Sequence, residues 1–256
     1  MSTARDGQPT PASQPAGQVG RLARRAALLG GLVFAIGVLL HPARDGAGVL
    51  AAGARYGLVH DLIAFGLVLQ VLALVGLYAS IGHTLGRAGW RAFVVALLGL
   101  VLWVALIVGD GMYNPVLARL DPALVHAADQ GDRATAASLA LLAVPALLAF
   151  PTGYASWARV LRRRGLVPGW AAALTATGAV LYAVGGGVGI LLFGPASAVV
   201  PIAEGVGAVA LAIGGTRLAQ AAPRPAPATP ETVDAGAVGS RPGHTGGSTT
   251  DVPLSG

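Results

Sequence analysis

Six long apolar stretches dominate this sequence and restrict what the chain can fold into. Each comes close to the roughly 20 residues that a helix needs to cross about 30 Å of hydrocarbon. The stretches are continuously apolar, whereas strands of a membrane barrel alternate apolar and polar residues. They cover residues 22–40, 58–81, 92–109, 136–157, 170–193 and 196–215. The sequence therefore predicts an all-α polytopic membrane bundle of six transmembrane helices.

The composition of the chain excludes an ordinary water-soluble globule. Charged residues make up 11% of the 256 residues and hydrophobic residues 54%, whereas a soluble domain is typically about a quarter charged. The absence of cysteine removes disulfides, thiolate metal sites and cysteine nucleophiles. The sequence contains no nucleotide-binding or serine-hydrolase motif that would favour those enzyme classes.

The two ends of the chain differ in composition from its centre. Residues 1–20 lack a hydrophobic period, and residues 219–256 are rich in Pro, Gly and Thr. Such segments have little apolar surface to bury and tend to stay unfolded. We therefore expect disordered tails on either side of a six-helix transmembrane domain that covers residues 21–218.

The arginines predict how the bundle is oriented. All 17 basic residues are Arg, and if the six stretches cross the membrane in turn, thirteen of them lie on one side and four on the other. Positive charge beside a helix is retained in the cytoplasm, so both termini are expected there, in a multi-pass protein of the cell (inner or plasma) membrane. The net charge of +6 then reports orientation and not a nucleic-acid partner. The run Arg162, Arg163 and Arg164 is expected to contact anionic lipid.

Several polar residues fall at the expected outer ends of the helices and are candidates for a site. They are Glu204 inside the sixth stretch, His60 and Asp61 at the start of the second, His41 at the end of the first and Asp110 at the end of the third. Imidazole and carboxylate groups suit a metal ion or a proton relay, and acidic residues within membrane helices are usually functional. This pattern favours a small transporter or membrane sensor that binds a cation or proton, although the same residues could simply reach water and lipid headgroups at the interface. No cofactor or particular metal is indicated.

Small residues suggest a second function from a different class. Gly185 and Gly189 form a GxxxG pair, and Ala203 and Gly207 form another small-residue pair, as expected where helix backbones pack closely. These residues predict tight packing between the last two helices, and Gly185, Gly189 and Gly207 could also support an oligomer. A non-catalytic scaffold that binds partner helices through such faces is therefore the alternative function. A third is an intramembrane metal-dependent hydrolase, which requires carboxylates and histidines to converge within coordination distance.

Two segments resemble a family of bacterial six-helix membrane proteins catalogued as a domain of unknown function. The first is Arg164-Gly-Leu-Val-Pro-Gly-Trp170, followed by Gly178, Tyr182 and a last helix with Glu204; the second is Arg55-Tyr-Gly-Leu-Val-His-Asp-Leu-Ile-Ala-Phe65. The similarity covers roughly residues 20–218. It implies a six-helix fold in the membrane and carries no activity or site residues.

Overall fold

A computed structural model describes residues 13–125, 133–194 and 197–221, and these residues form helices and no β-strand. The prediction of an all-α fold is confirmed for this part of the chain. The helices are α1 (Ser13–Leu39), α2 (Gly46–Ala52), α3 (Ala54–Leu120), α4 (Arg133–Arg163), α5 (Gly169–Ala183), α6 (Gly189–Phe193) and α7 (Val199–Ala219), with a 3-10 turn at Pro122–Leu124 and a π-helical turn at Val184–Val188.

Helix α3 consists of two arms, residues 54–85 and 87–120, joined at Gly86. Its 67 residues would extend about 100 Å as one straight helix at 1.5 Å per residue, about three times the thickness of the hydrocarbon core. Gly86 instead has φ 63° and ψ −163°, a conformation that glycine reaches readily because it has no Cβ. The regular helix is therefore interrupted at this residue.

Contacts between the arms show that they lie antiparallel. Near Gly86, the ring of Tyr78 in the first arm stacks on Phe93 in the second at 4.2 Å between centroids. Far from Gly86, the hydroxyl of Tyr56 lies 3.3 Å from the carboxylate of Asp110. The chain thus reverses at Gly86, and each arm alone exceeds the roughly 20 residues that cross a bilayer.

Within the described residues, five helices are long and apolar enough to cross a membrane: α1, α3, α4, α5 with its π-helical turn, and α7. Their outward faces carry large apolar side chains, for example Leu58 in α3, Leu141 in α4 and Ile202 in α7, each more than 60% exposed. Extended apolar surface of this kind marks an interaction site or a membrane contact. These features indicate a multi-pass membrane protein.

Aromatic rings from four segments meet in the core of the bundle. Tyr182 of α5 contacts Phe34 of α1 edge to face at 4.8 Å and lies 5.9 Å from the ring of Phe150 in α4. The indole N–H of Trp103, in the second arm of α3, donates a hydrogen bond to the Tyr182 hydroxyl at 3.2 Å. Because the buried hydroxyl has this partner, the core can hold tyrosine without leaving its polar atom unpaired.

Glycines let α5 and α7 pack backbone against backbone. A Cβ added to Gly207 of α7 would lie 2.5 Å from the backbone nitrogen of Tyr182, and one on Gly178 of α5 would lie 2.5 Å from that of Leu211. Gly185 in the π-helical turn also faces α7, since a Cβ there would lie 2.8 Å from a side chain of that helix. The predicted close packing of the last two long helices is therefore confirmed.

The arginine-rich helix ends gather at one end of the bundle. At the end of α4, Arg164 donates a hydrogen bond to the carbonyl of Leu85, beside the reversal in α3, at 3.4 Å. At the end of α7, the guanidinium of Arg217 lies 5.8 Å over the ring of Trp170, which begins α5. The antiparallel arms of α3 place Tyr56 and Asp110 at the opposite end.

Some boundaries differ from the sequence prediction. Helix α1 begins at Ser13, within the segment 1–20 that was expected to be an unstructured tail. Residues adjoining an established helix can join it at low cost, and Pro15 lies in the first turn, where its missing N–H costs no helical hydrogen bond. The rest of the expected tails, residues 1–12 and 222–256, lies outside the described residues.

Candidate cation-binding site

The loop between α1 and α2, residues 40–45, positions the first side chain of the site. The N–H of His41 still donates to the carbonyl of Val38 at 3.2 Å, so His41 continues the end of α1. Pro42 follows and cannot donate the next hydrogen bond of a helix. This loop, the α1–α2 loop, therefore holds the imidazole of His41 against α3, with its ring 5.5 Å from that of Tyr56.

Three predicted site residues from three segments converge at this end of the bundle. Nε2 of His41 lies 3.2 Å from Nε2 of His60 in the first arm of α3. Nε2 of His60 lies 2.8 Å from Oδ2 of Asp110 in the second arm. One nitrogen or oxygen atom from each residue lies within 4.8 Å of the others. His60 is 1% exposed and the Asp110 side chain 29% exposed, so the cluster is buried on one side and reachable on the other.

Two neighbouring side chains orient the carboxylate of Asp110. The hydroxyl of Tyr56 lies 3.3 Å from each of its oxygens, and Nδ2 of Asn114 donates a hydrogen bond to Oδ1. Tyr56 lies one helical turn before His60, and Asn114 one turn after Asp110. Sequence reasoning missed both residues, although the spacing i, i+4, which places two side chains on one helix face, was a signal for each.

His41 is neutral at physiological pH in this environment. Burial, followed by the charge of Arg44 and the ring of His60, lowers the pKa of His41 to about 3. A neutral imidazole has one N–H donor and one nitrogen with a free lone pair. His41 can therefore act as a ligand without first losing a proton.

Glu204 forms a separate contact next to this cluster. Its Oε2 accepts a hydrogen bond from the guanidinium of Arg44 in the α1–α2 loop, and the two form an ion pair. Its Oε1 lies against Gly186 of the π-helical turn, where the Cβ of any other residue would overlap the carboxylate. Such turns often occur at functional positions, and this one makes room for a buried carboxylate.

The structure thus brings together three of the five predicted cation- or proton-binding residues. His41, His60 and Asp110 meet, whereas Glu204 is paired with Arg44 and Asp61 lies exposed on the surface of α3. Asp61 follows His60 directly and is turned about 100° around the helix, so the two side chains point to different surroundings. Arg44 was missed because a charged residue in a loop carries no distinctive sequence pattern.

No protein-family model, curated protein or solved structure matches this chain. The resemblance to a six-helix family stays a prediction. Evidence for a function therefore comes from the fold and from the geometry of the cluster.

Proposed function

We propose that this protein binds a cation at the outer face of a cell (inner or plasma) membrane and acts as a small transporter or membrane sensor. The observation that carries the proposal is the convergence of His41, His60 and Asp110. Three segments distant in sequence contribute one polar side chain each to a bundle whose buried core is mostly apolar. Polar groups in a membrane helix are costly and usually serve a function.

Counting the hairpin of α3 as two crossings gives six crossings, with both termini on the same side. Positive charge is retained in the cytoplasm, so the arginine-rich end of the bundle is assigned to that side. Arg162 and Arg163 in the last turn of α4 are exposed and suit contact with anionic lipid. The cluster at the opposite end then faces the outside of the cell.

The electrostatics of the cluster favour a cation. Asp110 supplies a carboxylate, and the two imidazoles supply nitrogen acceptors. The charge of Arg44 acts on His41, but this guanidinium is paired with the carboxylate of Glu204, so its charge is largely compensated. A partly buried carboxylate beside two imidazole rings is stabilised by a bound positive ion.

The two other functions have less support from the described residues. Gly185 packs against α7 and Gly207 packs against α5 within the chain. Less glycine surface is therefore left to bind a partner helix or a second copy of the chain than the sequence predicted. Gly189 has its nearest neighbours at 3.4 Å and is less tightly packed. A metal-dependent hydrolase also needs a general base, and the nearby carboxylate of Glu204 is engaged by Arg44.

Thermal unfolding of the purified full-length protein in detergent tests the proposal. Cations, including protons, are added at increasing concentration to the unmodified chain, to Asp110→Asn and to the matched control Asp61→Asn. A ligand that binds only the folded state stabilises it by about 2.7 kcal/mol at 100 times its Kd. We expect this stabilisation in the unmodified chain and in Asp61→Asn, and its loss in Asp110→Asn.

An equal cation response in Asp110→Asn and Asp61→Asn would overturn the proposed site. Uptake of the stabilising cation by proteoliposomes then separates the two modes of action. A transporter accumulates the ion in the vesicle lumen, whereas a sensor binds it without accumulation.

A further inference from the structure

The hydrogen-bond partners of the two imidazoles determine which nitrogen of each ring carries hydrogen. Nδ1 of His60 lies 2.8 Å from the carbonyl oxygen of Tyr56, and Nδ1 of His41 lies 2.6 Å from that of Pro42. A carbonyl oxygen can only accept, so both Nδ1 atoms donate. With hydrogen on Nδ1, each ring leaves the lone pair of Nε2 available to a cation.

These two lone pairs point into the same small volume as the carboxylate of Asp110. The Nε2 atoms lie 3.2 Å apart, and Oδ2 of Asp110 lies 2.8 Å from one of them. Three acceptors this close repel one another unless a positive species lies among them. A single proton on Nε2 of His60 can bridge to Oδ2 of Asp110 or, over a longer distance, to Nε2 of His41.

A metal ion of suitable size can bond to all three atoms at once. Zinc binds His nitrogen at about 2.0–2.1 Å and carboxylate oxygen at about 2.0–2.2 Å in tetrahedral geometry. Those bond lengths place ligand atoms about 3.3 Å apart, close to the separation of the two Nε2 atoms. The ring nitrogens therefore already lie near the spacing that such an ion requires.

The ligand types argue against hard cations. Calcium takes six to eight oxygen ligands and magnesium demands an octahedron of oxygens, whereas two of the three atoms here are imidazole nitrogens. Imidazole suits zinc, copper, iron and nickel. We infer that the site binds a divalent transition-metal ion of the zinc class through Nε2 of His41, Nε2 of His60 and a carboxylate oxygen of Asp110; this inference rests on the proposed function.

The surrounding hydrogen bonds match those of a metal centre. Histidines that bind metal usually donate their other ring N–H to a carbonyl or carboxylate, which fixes the orientation of the ring. Tyr56 and Pro42 supply such carbonyls, and the Tyr56 hydroxyl and Asn114 orient the carboxylate. Three protein ligands leave a fourth position open, as in sites where the metal exchanges or binds a further ligand.

Metal titration of the full-length protein in detergent, after removal of bound metal by a chelator, tests this inference. Zn²⁺, Co²⁺, Mg²⁺ and Ca²⁺ are added separately, and Co²⁺ also reports its coordination through visible absorption. We expect Zn²⁺ and Co²⁺ to bind and millimolar Mg²⁺ and Ca²⁺ not to compete. His41→Ala is the main variant because His41 lies in a loop, so the helices can form without its ring.

Loss of a residue that only orients a metal ligand usually weakens metal binding by about 10- to 100-fold. We expect Tyr56→Phe to weaken Zn²⁺ binding within this range. His41→Ala removes a ligand itself and should weaken Zn²⁺ binding by more than this. His83→Ala is the matched control, because His83 is exposed and near the arginine-rich end. Equal Zn²⁺ affinity in His41→Ala and His83→Ala would overturn the inference. A response to protons, Mg²⁺ or Ca²⁺ without Zn²⁺ binding would overturn it and leave the proposed function standing, whereas no response to any cation would overturn both.

Discussion

Arg44 in the α1–α2 loop and Glu204 in α7 form an ion pair that joins segments 160 residues apart in the chain. The side chain of Arg44 is 15% exposed and that of Glu204 is 4% exposed. Removing either partner of a buried pair leaves an uncompensated charge, which costs far more than the pair as a whole contributes. The pair therefore anchors the α1–α2 loop, which contains His41, to helix α7.

Glu204→Gln should destabilise the protein by about 3–5 kcal/mol, the usual cost of breaking a buried pair. Arg44→Leu combined with Glu204→Leu should recover most of this loss, because apolar side chains of similar volume often replace a buried ion pair without penalty. Denaturant unfolding in detergent measures both effects. A double variant no more stable than Glu204→Gln would show that the pair does not account for the loss.

The same two residues should change metal affinity in opposite directions. Arg44→Gln removes a positive charge that acts on His41 and should tighten Zn²⁺ binding by about tenfold, which corresponds to about 1.4 kcal/mol. Glu204→Gln leaves the charge of Arg44 uncompensated and should weaken binding by a similar factor. Calorimetric titration measures both constants. A purely structural role for the pair would weaken binding in both variants, and that outcome would contradict the electrostatic explanation.

Much of the fold could be predicted from the sequence because it depends on length and apolarity. Continuous apolar runs of membrane-spanning length have few ways to fold in a bilayer, and the described helices follow these runs. The end of the second arm of α3 was missed. The apolar run stops near Gly109, but the helix continues to Leu120, and its last turns carry Asn114.

The candidate site was predictable only in part because convergence depends on tertiary structure. Helical geometry separates His60 from Asp61, since neighbouring residues point about 100° apart. Helical geometry could not show that the α1–α2 loop would bring His41 to His60, because no repeating pattern constrains the φ and ψ angles of a loop. The pairing of Glu204 with Arg44 depends on the same loop, so it could not be predicted from the sequence either.

Gly207→Ala should destabilise the bundle strongly. The new Cβ would lie 2.5 Å from the backbone nitrogen of Tyr182, so α5 and α7 would have to move apart, and overpacking of this kind typically costs about 1–3 kcal/mol. Gly109→Ala is the matched control, because a Cβ at Gly109 has no neighbour within 4 Å. Thermal unfolding in detergent compares the two variants. Equal stabilities would contradict close backbone packing at Gly207.

Single cysteines can test the orientation of the bundle, because the chain contains no cysteine and every label reports the introduced site. Ala123 in the 3-10 turn and Ala88 beside the reversal in α3 are both exposed and belong to opposite ends of the bundle. In intact cells that express the protein, a membrane-impermeant maleimide should label Ala123→Cys. Ala88→Cys and Ser2→Cys should react only after the membrane is permeabilised, because arginine-rich segments stay in the cytoplasm.

Ser248→Cys completes this test of orientation, since an even number of crossings places both termini on one side. It should behave like Ser2→Cys, and opposite labelling of the two would contradict six crossings. If Ala88→Cys is labelled in intact cells and Ala123→Cys is protected, the bundle has the opposite orientation. The cluster of His41, His60 and Asp110 would then face the cytoplasm, and any cation that it binds would come from inside the cell.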